Sequence, residues 1–256
     1  MNSCRVVFII LMVLMISCPS LAADRGMEIE EIYIKANQAY KDGLYEDAAA
    51  SYLDIMDAGG FDAHIEYNLG NTYYRMDRIG LAILHYERSK IHMPRDADLD
   101  FNLRYVLDKR MDDIEETEGF VSMTFFWLKS LSLAELYWGF VGVNLVLFLV
   151  LFIRLFIKSE WSYYVLLVII PIWSVMALSC GIKQYQAFHD DRAVIIEEEV
   201  NVLAGPDDDD TLLFKLHEGS IVHEERVEDG WALIGFSNDK RGWVPSGDLE
   251  RIRAGM

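Results

Sequence analysis

Six histidines and three cysteines are the side chains best suited to hold a metal or act as nucleophiles. The histidines are His64, His85, His92, His189, His217 and His223; the cysteines are Cys4, Cys18 and Cys180. A zinc centre needs ligands at fixed spacing, as in His-Glu-x-x-His or paired Cys and His. No such spacing occurs. A phosphate-cradling glycine loop, a dinucleotide glycine fingerprint and a Gly-x-Ser-x-Gly nucleophile turn are also missing. The scattered carboxylates form no recognisable acid–base pair, and so few cysteines build no disulfide framework. These residues point away from an enzyme, a cofactor or a metal centre.

One acidic run, Asp207–Asp210, offers oxygen ligands of the kind calcium takes. It lacks the interleaved spacing of a calcium loop and reads better as a solvated acidic turn. The chain as a whole is acidic, with 41 Asp and Glu against 23 Lys and Arg. That balance excludes nucleic acid as the partner, because phosphate binding needs clustered cations. At 256 residues the chain has room for about two domains. Hydrophobic residues make up 52%, which is high for a purely soluble protein.

The apolar residues are concentrated in three runs. Val6 to Ile16 follows Arg5 and has the length of a signal-peptide core, too short to span a bilayer. Ser20-Leu21-Ala22 then supplies a small-x-small cleavage site, giving a signal peptide over 1–22. Met15-Ile16-Ser17-Cys18 also resembles a lipobox loosely, which would make Cys18 a lipidated N-terminus. After ordinary cleavage only Cys180 is left, and it reads as a small apolar residue.

The second and third runs, 137–157 and 161–181, are each long enough to cross the hydrocarbon core as a helix. Pro171 predicts a kink, and Trp138, Trp161, Tyr163 and Tyr164 sit where interfacial anchors belong. Lys158, Ser159 and Glu160 alone separate the runs, so the helices are antiparallel neighbours. Arg154 and Lys158 place this turn inside, and the cleaved signal places Asp24 outside. Both flanking regions then share the non-cytoplasmic side, the periplasm of a bacterium with two membranes. The linker 113–136 is acidic at Glu115, Glu116 and Glu118. It then turns aromatic at Phe120, Phe125, Phe126 and Trp127. It suits either the outer leaflet or the underside of a soluble domain.

Residues 29–62 and 63–96 align at a spacing of 34. Ala36 matches Gly70, Ala48 matches Ala82, and Tyr52 matches Tyr86. The second copy reads Leu69-Gly70, Tyr73, Ala82, Tyr86 and Pro94. This resembles the tetratricopeptide (TPR) pattern, in which small residues let paired helices approach and large ones fill between pairs. The first copy departs from it at Gly59-Gly60, where proline is usual. Ala97–Leu103 echoes Ala63–Leu69 and starts a capping helix over 97–112, closing a helical domain over 24–112.

The resemblance implies that the first helix of each pair lines a concave face. That assigns Tyr33, Asn37, Tyr40, His64, Tyr67, Asn71, Tyr74, Phe101 and Tyr105 to a protein-binding groove. Amides can bond a peptide backbone, and tyrosines give contact area at low entropy cost. Some of these side chains would instead pack between helices. The basic residues with which some co-chaperone TPR domains grip a C-terminal carboxylate are not evident.

From Arg192 onward short β-rich runs alternate with turns at Gly205-Pro206, Glu218-Gly219, Asp229-Gly230 and Asn238–Arg241. Val200-Asn201-Val202, Leu216-His217-Glu218-Gly219, Trp231 and Gly242-Trp243-Val244-Pro245 resemble a bacterial SH3 (SH3b) domain over 192–253. Trp231 and Trp243 are possible ligand contacts, although Trp243 falls at a core position of that pattern. The expected fold is multidomain: an α-helical TPR solenoid, a two-helix transmembrane hairpin and a small all-β SH3-like barrel.

In this order the parts resemble BatE, the TPR component of the Bat (Bacteroides aerotolerance) proteins, over essentially the whole chain. The resemblance implies a non-enzymatic inner-membrane scaffold linked to stress tolerance or envelope integrity. It also implies partners: membrane proteins bearing von Willebrand A domains and, indirectly, a MoxR-type AAA+ ATPase. An SH3b domain that holds peptidoglycan is the competing expectation. The acidic regions, with 22 acidic and 11 basic groups in 24–118 and 17 and 8 in 182–256, favour basic or metal-bearing partners.

Overall fold

The computed structural model describes residues 19–60, 62–112, 123–157, 160–237 and 239–253, with side chains from Met27 onward. The apolar run 6–16, Cys18, Phe120 and the Lys158-Ser159 turn lie outside the described residues. So do the acids at 115–118.

Seven α-helices and seven β-strands are present among the described residues. The first five helices are α1 (Pro19–Lys41), α2 (Tyr45–Asp57), α3 (Ala63–Arg75), α4 (Ile79–His92) and α5 (Ala97–Leu107). Aspartates start two of them: the Asp62 carboxylate accepts from the His64 N–H at α3, and Asp96 from the Leu99 N–H at α5. Gly43, at φ +79°, makes the left-handed exit from α1 that a side chain would resist. The 34-residue pairing is visible in the packing. A Cβ on Gly70 would lie 2.5 Å from the Tyr86 ring, so glycine is what lets α3 and α4 close up. Helix α5 ends at Leu107, short of the expected 112, and residues 108–112 form a loop.

Two long apolar helices follow: α6 (Leu133–Phe156) and α7 (Glu160–Phe188). Both are long and apolar enough to cross a membrane, and only 6% and 17% of their most apolar stretches are buried. They are therefore not core helices of the flanking regions. Helix α6 begins four residues before the expected span, at a capping box of Ser132 and Glu135. Helix α7 runs unbroken through Pro171 and beyond the expected end at 181. Asn144 accepts a hydrogen bond from the Trp173 indole (3.1 Å), and Tyr137 donates to Gln184 (2.9 Å), pinning the pair side by side.

Phe125, Trp127 and Leu128 pack on the hairpin itself, around Leu136, Phe140, Met176 and Cys180. The Trp127 indole donates to the Ser179 hydroxyl (3.1 Å), and Lys183 donates to the Leu128 carbonyl (2.7 Å). Phe126 and Met123 remain exposed.

The C-terminal strands are β1 (Arg192–Ile195), β2 (Glu199–Leu203), β3 (Leu212–His217), β4 (Ile221–Glu228), β5 (Trp231–Ser237), β6 (Lys240–Pro245) and β7 (Leu249–Arg251). They form one antiparallel sheet in the order β3-β2-β6-β5-β4-β1-β7. Strand β7 carries no turn-and-alternation signal of its own and exists because β1 pairs with it. All seven strands contribute to a single core. Strands lie about 4.8 Å apart, so a flat sheet could not bring the outer ones together; this sheet is curled. Trp243 is buried, with Arg226 over its ring, whereas Trp231 is half-buried.

Candidate protein-binding surface

The helical region carries a hydrogen-bond ladder built twice at the repeat spacing. In the first copy Tyr52 donates to Asn37 (2.8 Å), and the Asn68 amide donates to the Tyr33 hydroxyl (3.2 Å). In the second copy Tyr86 donates to Asn71 (2.7 Å), and the Asn102 amide donates to Tyr67 (3.0 Å) and Asn71 (3.0 Å). Burial pushes the Tyr52 and Tyr86 hydroxyls well above the usual phenol range. Tyr33, Asn37, Tyr67 and Asn71 therefore fasten neighbouring helices, and only part of each side chain is left for a ligand. Asn68 and Asn102, which the sequence reading passed over, complete the ladder. Their matching places in Tyr67-Asn68-Leu69 and Phe101-Asn102-Leu103 were the available signal.

Beside the second ladder lies a cavity of about 170 Å³ lined by Tyr40, Asn71, Tyr74, Arg75, Tyr86, Asn102, Tyr105 and Val106. The Tyr74 and Tyr105 rings meet edge to face, 5.8 Å apart, and Phe101 stacks on Tyr105. Lys109 donates to the Tyr74 hydroxyl (2.9 Å), with its ammonium 4.8 Å and 4.9 Å from the Tyr74 and Tyr105 ring centres. That hydrogen bond lowers the Tyr74 hydroxyl below the ordinary phenol value, while burial raises Tyr40. Of the nine groove candidates, Tyr40, Asn71, Tyr74 and Tyr105 line the cavity, and the exposed Phe101 stacks on Tyr105 outside the lining. Tyr33, Asn37 and Tyr67 sit in the ladder. His64 is exposed on the first turn of α3, outside the cavity lining.

A second surface is formed where the helices meet the sheet. Val194 and Ile252 belong to the core of α4 and α5, packed with Ala82, Ile83, Leu84, Leu99 and Leu103. Gly80 closes the approach: a Cβ there would lie 2.5 Å from the Ile195 carbonyl oxygen. Its N–H, at the uncapped start of α4, donates to Glu218 (3.1 Å). Arg88 reaches from α4 to the Ile252 carbonyl (3.1 Å), the Arg251 carbonyl (2.7 Å) and Glu250 (2.8 Å). Arg192 answers from β1 to Glu87 (3.2 Å) and Asp190 (2.8 Å).

Asp112, in the loop after α5, accepts from the His217 N–H (2.8 Å) and the Ser220 hydroxyl (3.1 Å), with the His217 ring at 3.0 Å. Burial pushes the Asp112 carboxyl up, but these bonds outweigh it and hold it below the usual range. Asp190 is likewise lowered, by Arg192 acting against burial. A mixed cavity of about 290 Å³, lined by Glu87, Leu107, Arg110, Asp112, Arg192, Ile221, His223 and Phe236, opens along this seam.

Among the described residues no group of three or more His, Cys, Asp or Glu side chains is placed to hold a metal ion. Asp207–Asp210 is exposed and forms a local turn, with the Asp209 N–H donating to Asp207 (3.0 Å). Comparison with family models, curated proteins and solved structures finds no match for this chain.

Proposed function

We propose that this chain is a non-enzymatic scaffold of a bacterial inner membrane, crossing it twice through α6 and α7. Both soluble regions face the periplasm, the first as a TPR solenoid and the second as an SH3b-like barrel. The protein captures partner proteins on the concave tyrosine face of the helical region. The observation that carries this reading is the seam: helices and sheet share one core, so they move as one body. That body is also tied to one end of the hairpin. Arg95 pairs with Glu135 at the start of α6, and α7 ends at Phe188, just before β1 begins at Arg192. A surface fixed in this way, carrying a tyrosine-lined cavity, suits holding partners at a set height above the bilayer.

The resemblance to BatE makes von Willebrand A-domain membrane proteins, and through them a MoxR-type ATPase, the partners to look for. The test is in-cell cross-linking, mild detergent extraction through a C-terminal tag, and mass spectrometry. Recovery of von Willebrand A-domain proteins supports the scaffold. Recovery of wall fragments and wall enzymes alone overturns it and favours a peptidoglycan-binding sheet.

A further inference from the structure

The seam cavity of about 290 Å³ shares no lining residue with the tyrosine-lined one. It lies where two packed regions meet, a common place for ligand pockets, and its size suits a small molecule. Glu87 of α4, Leu107 at the end of α5 and Asp112 in the loop beyond form one wall. Ile221 and His223 of β4 and Phe236 of β5 face them from the sheet.

The polar groups of this lining are only partly used. Asp112 makes its bonds to the His217 N–H, the His217 ring and the Ser220 hydroxyl through Oδ2 alone. Glu87 gives Oε2 to Arg192. His223 has its Nδ1 on Asp191 (2.7 Å), so in the neutral ring its Nε2 is an acceptor. Asp112 Oδ1, Glu87 Oε1 and His223 Nε2 have no hydrogen-bond partner among the described residues. Arg192, by contrast, commits Nε and Nη2 to Asp190 and Nη1 to Glu87. What the cavity leaves open is a set of acceptors, and acceptors call for a donor.

Charge points the same way. The lining and its direct partners hold four carboxylates, Glu87, Asp112, Asp190 and Asp191, against two guanidiniums, Arg110 and Arg192. A bare metal ion does not suit the arrangement, since no three carboxylates or imidazoles among the described residues are placed to hold one. An ammonium does: it is larger, and its three N–H donors match the three open acceptors. Leu107, Ile221 and Phe236 give that ammonium an apolar neighbourhood for a short carbon stem.

We propose that the seam cavity binds a small primary amine, its ammonium on Glu87, Asp112 and His223 and its aliphatic stem against Leu107, Ile221 and Phe236. The site is independent of partner capture on the tyrosine face. Its ligand touches both walls, so it binds only when helices and sheet are docked and raises the melting midpoint of that unit.

The test is isothermal titration calorimetry of the full chain in detergent micelles with n-butylamine. Butyrate and 1-butanol carry a similar stem without the ammonium, and ammonium chloride carries the charge without the stem. The expected result is binding of n-butylamine with a higher melting midpoint, weaker binding of ammonium, and none of butyrate or 1-butanol. Affinity for n-butylamine should fall about tenfold or more in Glu87→Gln, where a hydrogen bond between charged groups becomes one to a neutral amide. It should also fall in Leu107→Phe, which narrows the cavity and leaves every charge in place. The comparison among ligands uses the parent alone and stands even if a variant fails to fold. No binding of n-butylamine, or equal binding of butyrate or 1-butanol, would overturn the proposal. So would ammonium binding as tightly as n-butylamine, or an affinity unchanged in both folded variants.

Discussion

Replacing Gly80 with alanine is the sharpest perturbation of the seam. The added Cβ would sit 2.5 Å from the Ile195 carbonyl oxygen, 3.1 Å from the Ile196 Cα and 3.2 Å from the Gly219 nitrogen. All three are backbone atoms, so no side-chain rotation relieves the contact. Overpacking of this kind costs about 1–3 kcal/mol. Any retreat of α4 also stretches the Gly80 N–H bond to Glu218, worth about 1 kcal/mol. The expected loss is about 2–4 kcal/mol of docking, a fall of roughly 5–15 °C in the melting midpoint of a unit this size. The assay is thermal unfolding in micelles, followed by helical circular dichroism and by tryptophan fluorescence. Gly247→Ala, where a Cβ meets nothing within 4 Å, is the control and should stay within about 0.5 kcal/mol of the parent. In the parent the two signals should change together; in Gly80→Ala they should separate. If Gly80→Ala melts like the control, with coincident signals, the helices and sheet do not form one unit.

Acid should loosen the same seam. The Asp112 carboxyl is depressed in the folded chain, so its contribution is fully present above the unfolded value near pH 4. It is lost as pH falls through the lower folded value. Hydrogen exchange at the Ser220 end of β4 should therefore speed up below about pH 4 in the parent and show less pH dependence in Asp112→Asn. Arg88→Met keeps the stem but removes three hydrogen bonds to the last strand, costing about 2–3 kcal/mol and exposing 249–253 to proteolysis. Asn102→Leu should cost about 1–2 kcal/mol in urea unfolding, since Tyr67 and Asn71 both lose its amide. Asn144→Leu should weaken the hairpin by only about 0.6 kcal/mol in a bilayer unfolding assay.

Local pattern made much of this architecture legible. The 34-residue spacing set Gly70 against Tyr86, and composition alone marked α6 and α7. Turn residues bounded most of the strands. The seam was not legible, because its partners are remote: Glu87 and Arg192 are 105 positions apart, and Arg88 and Glu250 are 162. No periodicity links such pairs, and Val194 and Ile252 read as ordinary strand residues until they appear in the helical core. The groove was half legible. Helical geometry picked the residues on one face, but it could not say that Asn37 and Asn71 spend their oxygens on Tyr52 and Tyr86. Lys109 lies beyond α5 in a loop, where helical periodicity has no reach.

Site-specific photo-cross-linking in cells tests most directly the proposed capture of a partner on the tyrosine face of the helical region. A photo-reactive residue would replace Phe101, exposed beside the cavity-lining Tyr105, or Leu53, exposed on α2. Partner protein cross-linked from position 101 and not from position 53, and lost when Tyr74 is also changed to alanine, is the expected result. Equal cross-linking from both positions, or cross-linking from 53 alone, would contradict it.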